Sequence, residues 1–84
     1  MTRIHPKQVC VNIKTARMEQ NLTMHYMAQS LNISVSAYCD LENGRTELTL
    51  GRLQQIADIL QIQASILLGL SYQTVGDPFN QSSF

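Results

Sequence analysis

The stretch that decides the fold is residues 24–43, MHYMAQSLNISVSAYCDLEN. Its apolar residues have the spacing of one buried face on each of two short helices: Met27, Leu31, Ile33, Tyr38 and Leu41. Between the helices stands Asn32, and asparagine is one of the few residues besides glycine that tolerate a left-handed backbone conformation in a tight turn. Helices joined by such a turn approach closely at one point, which requires a small side chain such as Ala28. The stretch therefore predicts a helix-turn-helix arrangement.

Capping residues define the ends of this helix pair, which we number helices 2 and 3. Thr23 is a predicted N-cap for helix 2, and either Ser34 or Ser36 can cap helix 3. Asn43-Gly44 is a strong turn signal that ends helix 3. This geometry leaves the outer face of helix 3 free to enter a DNA major groove.

Helical periodicity continues on both sides of the pair. Helix 1 is predicted to begin at Pro6 and to end near Asn21. Thr49 is a predicted N-cap for helix 4, and a short helix 5 is expected over residues 64–68, ending at Gly69. No segment alternates with a period of two residues, so the predicted fold class is all-α, with five helices.

Composition excludes several other classes of protein. The 84 residues suffice for one domain, and 44% of them are hydrophobic while only 14% are charged. Six Lys and Arg balance six Asp and Glu, which excludes a polybasic tail, an acidic disordered chain and a highly charged coiled coil. No apolar run approaches the roughly 18–20 residues that span a bilayer, and no secretory leader opens the chain. We therefore expect a cytoplasmic protein without membrane contact, divided into an N-terminal arm that leads into helix 1 (1–10), the helical domain (11–70) and a flexible tail (71–84).

Neither metal nor catalytic chemistry is predicted. Cys10 and Cys39 allow at most one disulfide, lack zinc-ligand spacing, and are expected to be reduced. His25, Cys39 and Asp40 form no metal-binding pattern, and the chain has no Gly-rich phosphate loop. The sequence thus predicts a protein that is not an enzyme and that carries no metal and no cofactor.

These features resemble the Cro/repressor-type (Xre-like) helix-turn-helix proteins, a family of small phage and bacterial transcriptional regulators, over about residues 11–68. The matching segments are IKTAR at 13–17, Leu22, Met27-Ala28, Leu31, Ile33-Ser34, Ala37-Tyr38, LENGR at 41–45 and LQQIADIL at 53–60. The resemblance implies a small repressor-like homodimer that places helix 3 in the major groove of double-stranded DNA. It also implies an internal ion pair between Arg17 and Glu42, although both side chains projecting into water is the simpler alternative.

The resemblance carries over a set of candidate DNA-binding residues: Met24, Ser34, Val35, Ser36, Ala37, Cys39, Asp40 and Asn43. Candidate phosphate contacts are Thr23, Lys14, Arg45, Thr46 and Arg52. The hydroxyl of Ser36 can hydrogen-bond to bases, and Val35, Ala37 or Cys39 can touch thymine methyl groups. The alternative for Val35 and Ala37 is that they are merely small exposed residues.

Two departures from the family pattern favour a second hypothesis. Met24 stands where glutamine commonly contacts a phosphate, and residues 24–43 contain no Lys or Arg. We expect Asp40 to face phosphates and oppose binding, because affinity for the DNA backbone comes mainly from cations. The alternative function is a protein–protein or antitoxin-like module with weak DNA binding, in which the tail 71–84 contacts a protein partner.

A dimer surface is expected near the C-terminus, where single-domain members of the family often pair. The candidate residues are Ile66, Leu68, Leu70 and Tyr72. The alternative is that some of these side chains cover the base of helix 4.

Overall fold

The structure is a computed structural model that describes residues 6–69. Five helices follow one another along this part of the chain: α1 (Pro6–Glu19), α2 (Met24–Leu31), α3 (Val35–Glu42), α4 (Leu50–Leu60) and α5 (Ala64–Leu67). No strand occurs between residues 6 and 69, and the predicted all-α fold is confirmed.

The start of α1 lies where the sequence placed it. The helix begins at Pro6, and Val9 and Cys10 in its first turns are buried in the domain. Residues 1–5, the predicted tail 71–84 and the candidate dimer residues Leu70 and Tyr72 lie outside the described residues.

Three helices begin with a side-chain cap. The hydroxyl oxygens of Thr23, Ser34 and Thr49 each accept a hydrogen bond from the backbone amide three residues further on, at 2.9, 3.0 and 3.1 Å. Each bond satisfies one of the amide groups that the first turn of a helix leaves without an intrahelical partner. Of the two serines that the sequence left open, Ser34 is the cap of α3.

Four helices end in the same hydrogen-bonded turn. Within the first two positions after each of these helices, one residue takes a left-handed conformation. The φ values are 60°, 59°, 75° and 58° for Asn21, Asn32, Gly44 and Gln61. The amide of the next residue then donates to the carbonyl five positions earlier, at 2.8–3.1 Å. This is the Schellman motif, which folds the chain back over the last helical turn. The turns at Asn21 and Asn32 lie where the sequence predicted them, whereas nothing indicated Gln61.

The core lies where α2 and α3 cross, and α1 and α4 close it. At the crossing Ala28 is 1% exposed, and Met27, Tyr38, Ile56 and Ala57 are completely buried. α1 contacts α3, α4 and α5, and α4 contacts α2. The remaining members of the core cluster come from α1, α2, α4 and α5: Val9, Ile13, Leu31, Leu53, Leu60 and Leu67.

Two amide side chains, Asn12 in α1 and Gln20 directly after it, connect this helix to the ends of α5 and α4. Asn12 Nδ2 donates to the carbonyl of Leu67 at 2.8 Å, and Gln20 Nε2 donates to the carbonyl of Leu60 at 2.7 Å. These carbonyls lie at the ends of α5 and α4, where a helix leaves acceptors without an intrahelical donor. Within residues 6–69, no helix has the length and apolar character that crossing a membrane requires.

Candidate nucleic-acid interface

A buried polar network fixes α3 against α1. Nε and Nη2 of Arg17 donate to the two carboxylate oxygens of Glu42 at 2.8 and 2.9 Å, and the two residues are 8% and 5% exposed. Nη1 of Arg17 also donates to the carbonyl of Leu22 at 2.8 Å, and the hydroxyl of Tyr38 donates to Glu42 Oε2 at 2.6 Å. Bidentate pairing has a fixed geometry. The network therefore sets the orientation of α3 relative to α1 and to the turn before α2.

The environment keeps the donors of this region protonated. Burial, and secondly the hydrogen bond to Glu42, raise the pKa of Tyr38 well above its ordinary value. The hydrogen bond to Glu42 also raises the pKa of Arg17. Burial raises the pKa of the Cys10 thiol, which donates to the carbonyl of Leu41 at 3.2 Å. These groups hold the framework together, and a buried thiol of this kind is inert as a nucleophile.

The outward face of α3 carries four polar or small side chains. Ser36, Cys39, Asp40 and Asn43 recur at intervals of three and four residues, and such residues share one side of a helix. They lie opposite the buried residues Tyr38, Leu41 and Glu42. Ser36 and Asn43 are exposed, whereas Cys39 and Asp40 are half-buried. We call this set of four residues the α3 face.

Four other candidate residues lie beside this face. Val35 is 42% exposed and Ala37 is half-buried, so both flank the α3 face. Ser34 is exposed, but its hydroxyl oxygen is engaged in capping the helix. Met24 is half-buried and packs against the core, and a thioether has no proton to donate to a phosphate. Met24 thus serves as packing at the position where the family commonly has glutamine.

The loop between α3 and α4 brings several candidate phosphate contacts together. Arg45 and Thr46 line an open cleft of about 350 Å³ that also borders Thr49 and the start of α4. The amide groups at a helix start favour anions. Arg52, in the first turn of α4, is half-buried and donates to Gln55 Oε1 at 3.1 Å. This cleft adjoins the end of α3, because Gly44 and Arg45 follow that helix directly.

The other two candidate phosphate contacts lie apart from this cleft. Lys14 is exposed on α1, and Thr23 is exposed with its hydroxyl used as the cap of α2. Among the described residues, no side-chain hydrogen bond or salt bridge links either of them to the α3–α4 loop.

Sequence reasoning missed two side-chain contacts at this surface. Nη1 of Arg45 lies 3.5 Å from Oδ1 of Asp40, so the exposed guanidinium and the half-buried carboxylate form an ion pair. Nδ2 of Asn43 lies 3.2 Å from the sulfur of Cys39, one helical turn earlier. The second contact follows the spacing of four residues that brings side chains together on a helix, and that signal could have revealed it.

Clusters of side chains that could bind a metal ion are not found in the described part of the chain. Residues 6–69 contain no group of three or more His, Cys, Asp or Glu side chains that could hold a metal ion, and Cys10 and Cys39 are free thiols.

At the C-terminal end, Ile66 is 44% exposed, whereas Leu68 is half-buried against the core. Of the candidate dimer residues that are described, one thus stays on the surface and one covers the domain.

The fold and this surface together define the class of protein. It is an all-helical domain whose second and third helices cross at a left-handed Asn32 turn, with the α3 face directed away from the core. The family model described as helix-turn-helix matches residues 13–67, which are 55 of the 84 residues. The chain belongs to this family, the Cro/C1-type helix-turn-helix proteins. These are DNA-binding transcriptional regulators, which is the general function that membership gives to this chain. No curated protein and no solved structure matches the chain significantly.

Proposed function

We propose that the protein is a sequence-specific regulator that binds DNA in the cytoplasm as a small repressor-like homodimer, with α3 in the major groove. The observation that carries the proposal is the α3 face, directed away from the core and adjoining the cleft at the start of α4. A helix presented in this way can enter the groove while the loop behind it meets the phosphates.

The residues of this surface have separate roles in the proposal. Ser36 reads a base edge by hydrogen bonding, and Val35, Ala37 and Cys39 contact thymine methyl groups. Asn43 donates its amide to the backbone or to a base. Few side chains here discriminate between bases, which favours A·T-rich sites or sites recognised by their shape.

Phosphate contacts in the proposal come from few cations. Arg45 and Arg52 lie on the side of the α3–α4 loop, Lys14 adds a charge from α1, and Thr23 and Thr46 add polar contacts. With three cations in each subunit, a dimer is expected to show a slope of log K against log salt of about −5. This dependence is shallow for a DNA-binding protein, in keeping with the net charge of zero.

Dimerisation is the second part of the proposal. A twofold operator needs two copies of α3 spaced by about one helical turn of DNA, roughly 34 Å. The exposed side chain of Ile66 borders a groove between α1 and α5, which offers a surface for the second copy. Light scattering after size-exclusion chromatography tests this part, and a protein that stays monomeric at high concentration contradicts it.

Two matched variants test the α3 face. Full-length protein first selects bound duplexes from a random pool at about 50 mM salt, where phosphate contacts are strong. Ser36→Glu is then expected to weaken binding to the selected duplex about tenfold or more, because it places a negative charge and a larger side chain in the groove. Ser30→Glu makes the same change at an exposed serine of α2, and its binding should stay within about twofold of the original protein. No enrichment from the pool, or equal losses in the two variants, would overturn the proposal.

One observation favours a second candidate function. Residues 24–43 contain no Lys or Arg, and of their two carboxylates Glu42 is buried and Asp40 is half-buried on the α3 face. A protein–protein or antitoxin-like module, contacting its partner through residues 71–84, would not need cations at this surface. Failure to retain any DNA at about 50 mM salt would favour this candidate.

A further inference from the structure

An ion pair closes the end of the α3 face. Nη1 of Arg45 and Oδ1 of Asp40 are 3.5 Å apart, with the two side chains 69% and 39% exposed. The backbone places them side by side, since the amide of Arg45 donates to the carbonyl of Asp40 at 2.8 Å. This bond belongs to the Schellman motif that Gly44 permits at φ 75°. The pairing is therefore set by the turn that ends α3 and needs no other element.

The ion pair joins the carboxylate of the α3 face to the nearest following cation in the chain. Residues 24–43 contain two charged side chains, Asp40 and Glu42, and Glu42 is buried against Arg17 and Tyr38. Asp40 is thus the negative charge of the α3 face, and Arg45 is the first cation that follows it in the chain. A carboxylate and a phosphate offer a guanidinium the same kind of acceptor oxygens.

We propose that Asp40 is a built-in competitor for DNA phosphate at Arg45 and thereby raises the sequence selectivity of the protein. In the free protein the carboxylate of Asp40 forms an ion pair with the guanidinium of Arg45. When DNA binds, Arg45 exchanges Asp40 for a phosphate, and Asp40 is left close to the negative backbone. The inference rests on the proposed function, because it concerns the same surface.

The consequence differs between non-specific and specific complexes. Non-specific binding depends almost wholly on phosphate contacts, so it loses the contribution of an arginine that is already occupied. A specific complex also has base contacts, which hold α3 in the register where the exchange is completed. Asp40 therefore weakens non-specific binding more than specific binding.

A double-mutant cycle tests whether Asp40 acts through Arg45. The original protein, Asp40→Asn, Arg45→Gln and the double variant are titrated with a mixed-sequence duplex and with the selected duplex, between about 50 and 200 mM salt. Asp40→Asn is expected to tighten non-specific binding about threefold per subunit, a small factor because exposed ion pairs are weak. It should also steepen the salt slope by about 0.9 per subunit, as one more cation becomes available. The preference for the selected duplex should fall by a similar factor.

The decisive comparison is the same substitution without the arginine. In the Arg45→Gln background, Asp40→Asn should change non-specific affinity by less than half as much, on a logarithmic scale, as it does in the original protein. Glu47→Gln is the matched control, since Glu47 is exposed in the same loop and makes no salt bridge within residues 6–69. Glu47→Gln removes an equal charge without releasing Arg45. Its effect on non-specific affinity should therefore be smaller than that of Asp40→Asn, and the salt slope should stay unchanged. Asp40→Ser serves as a second variant, and thermal unfolding verifies that each variant folds.

The outcomes separate this inference from the proposed function. Asp40→Asn could change non-specific affinity equally in the original protein and in the Arg45→Gln background, and by as much as Glu47→Gln does. This result would show that Asp40 acts only through its negative charge and not through Arg45. That result would overturn the competitor role and leave the proposed function intact. Absence of DNA binding by every variant at about 50 mM salt would overturn both.

Discussion

Replacing Glu42 by glutamine should remove a large part of the stability of the domain. The substitution preserves the shape of a side chain that is 1% exposed, but it removes the charge that balances Arg17. The Arg17 side chain is 10% exposed, so its guanidinium would stay in the domain without a counter-ion. The amide of glutamine would also present a donor to a site that holds the donors of Arg17 and Tyr38.

The size of the loss follows from the burial of the pair. Removing one partner of a buried ion pair costs about 3–5 kcal/mol. A domain of 84 residues has a free energy of unfolding of about 4–12 kcal/mol, from roughly 0.05–0.15 kcal/mol per residue. Glu42→Gln should therefore remove about a quarter or more of the stability. Tyr38→Phe removes a single hydrogen bond to the carboxylate, and its cost should be smaller, about 1.5–3 kcal/mol.

Urea unfolding followed by far-ultraviolet circular dichroism measures these losses. Glu47→Gln is the matched control, because it makes the same change at an exposed site and should stay within about 0.5 kcal/mol of the original protein. An apolar replacement of the network (Arg17→Met, Tyr38→Phe and Glu42→Leu together) should be more stable than Glu42→Gln, since it leaves no buried charge. A loss below about 1 kcal/mol for Glu42→Gln would refute the reasoning, because an exposed ion pair contributes no more than that.

Three further predictions concern stability. Raised pKa values for Cys10 and Tyr38 mean that folding favours their neutral forms, so the free energy of unfolding should be constant at neutral pH and fall at alkaline pH. The decline should begin above about pH 8.5 for Cys10 and above about pH 10 for Tyr38. Urea unfolding at a series of pH values measures it, and Tyr38→Phe should reduce the part of the decline that begins above about pH 10. Thr49→Ala removes the cap of α4 and should cost about 1 kcal/mol, whereas Thr15→Ala, at an exposed site inside α1, should not destabilise the domain in the same assay. Gly44→Ala should cost about 1 kcal/mol in thermal unfolding because of the left-handed backbone, and an unchanged melting temperature would contradict the Schellman turn there.

Local sequence signals were sufficient for most of the fold. Thr23 and Thr49 could be identified as caps because their hydroxyls act on an amide only three residues away. Asn32 could be placed in the turn because few residue types tolerate its conformation. Gln61 takes the same conformation without the same propensity, next to Ile62, which packs against the core, and no local rule indicated it.

The site was less predictable because its contacts depend on geometry beyond one helix. The sequence placed Asp40 and Arg45 five residues apart, a spacing that gives no contact within a regular helix. Only the turn at Gly44 brings them together. The burial of Met24 likewise depends on how α2 packs, and its position in the sequence did not show it.

The most direct test of the central claim is amide chemical-shift mapping by NMR of the full chain titrated with its selected duplex. The proposal that α3 enters the major groove predicts the largest changes at Ser36, Cys39, Asn43, Arg45 and Thr49. Small, uniform changes at these amides, with the largest ones on the groove between α1 and α5, would contradict it.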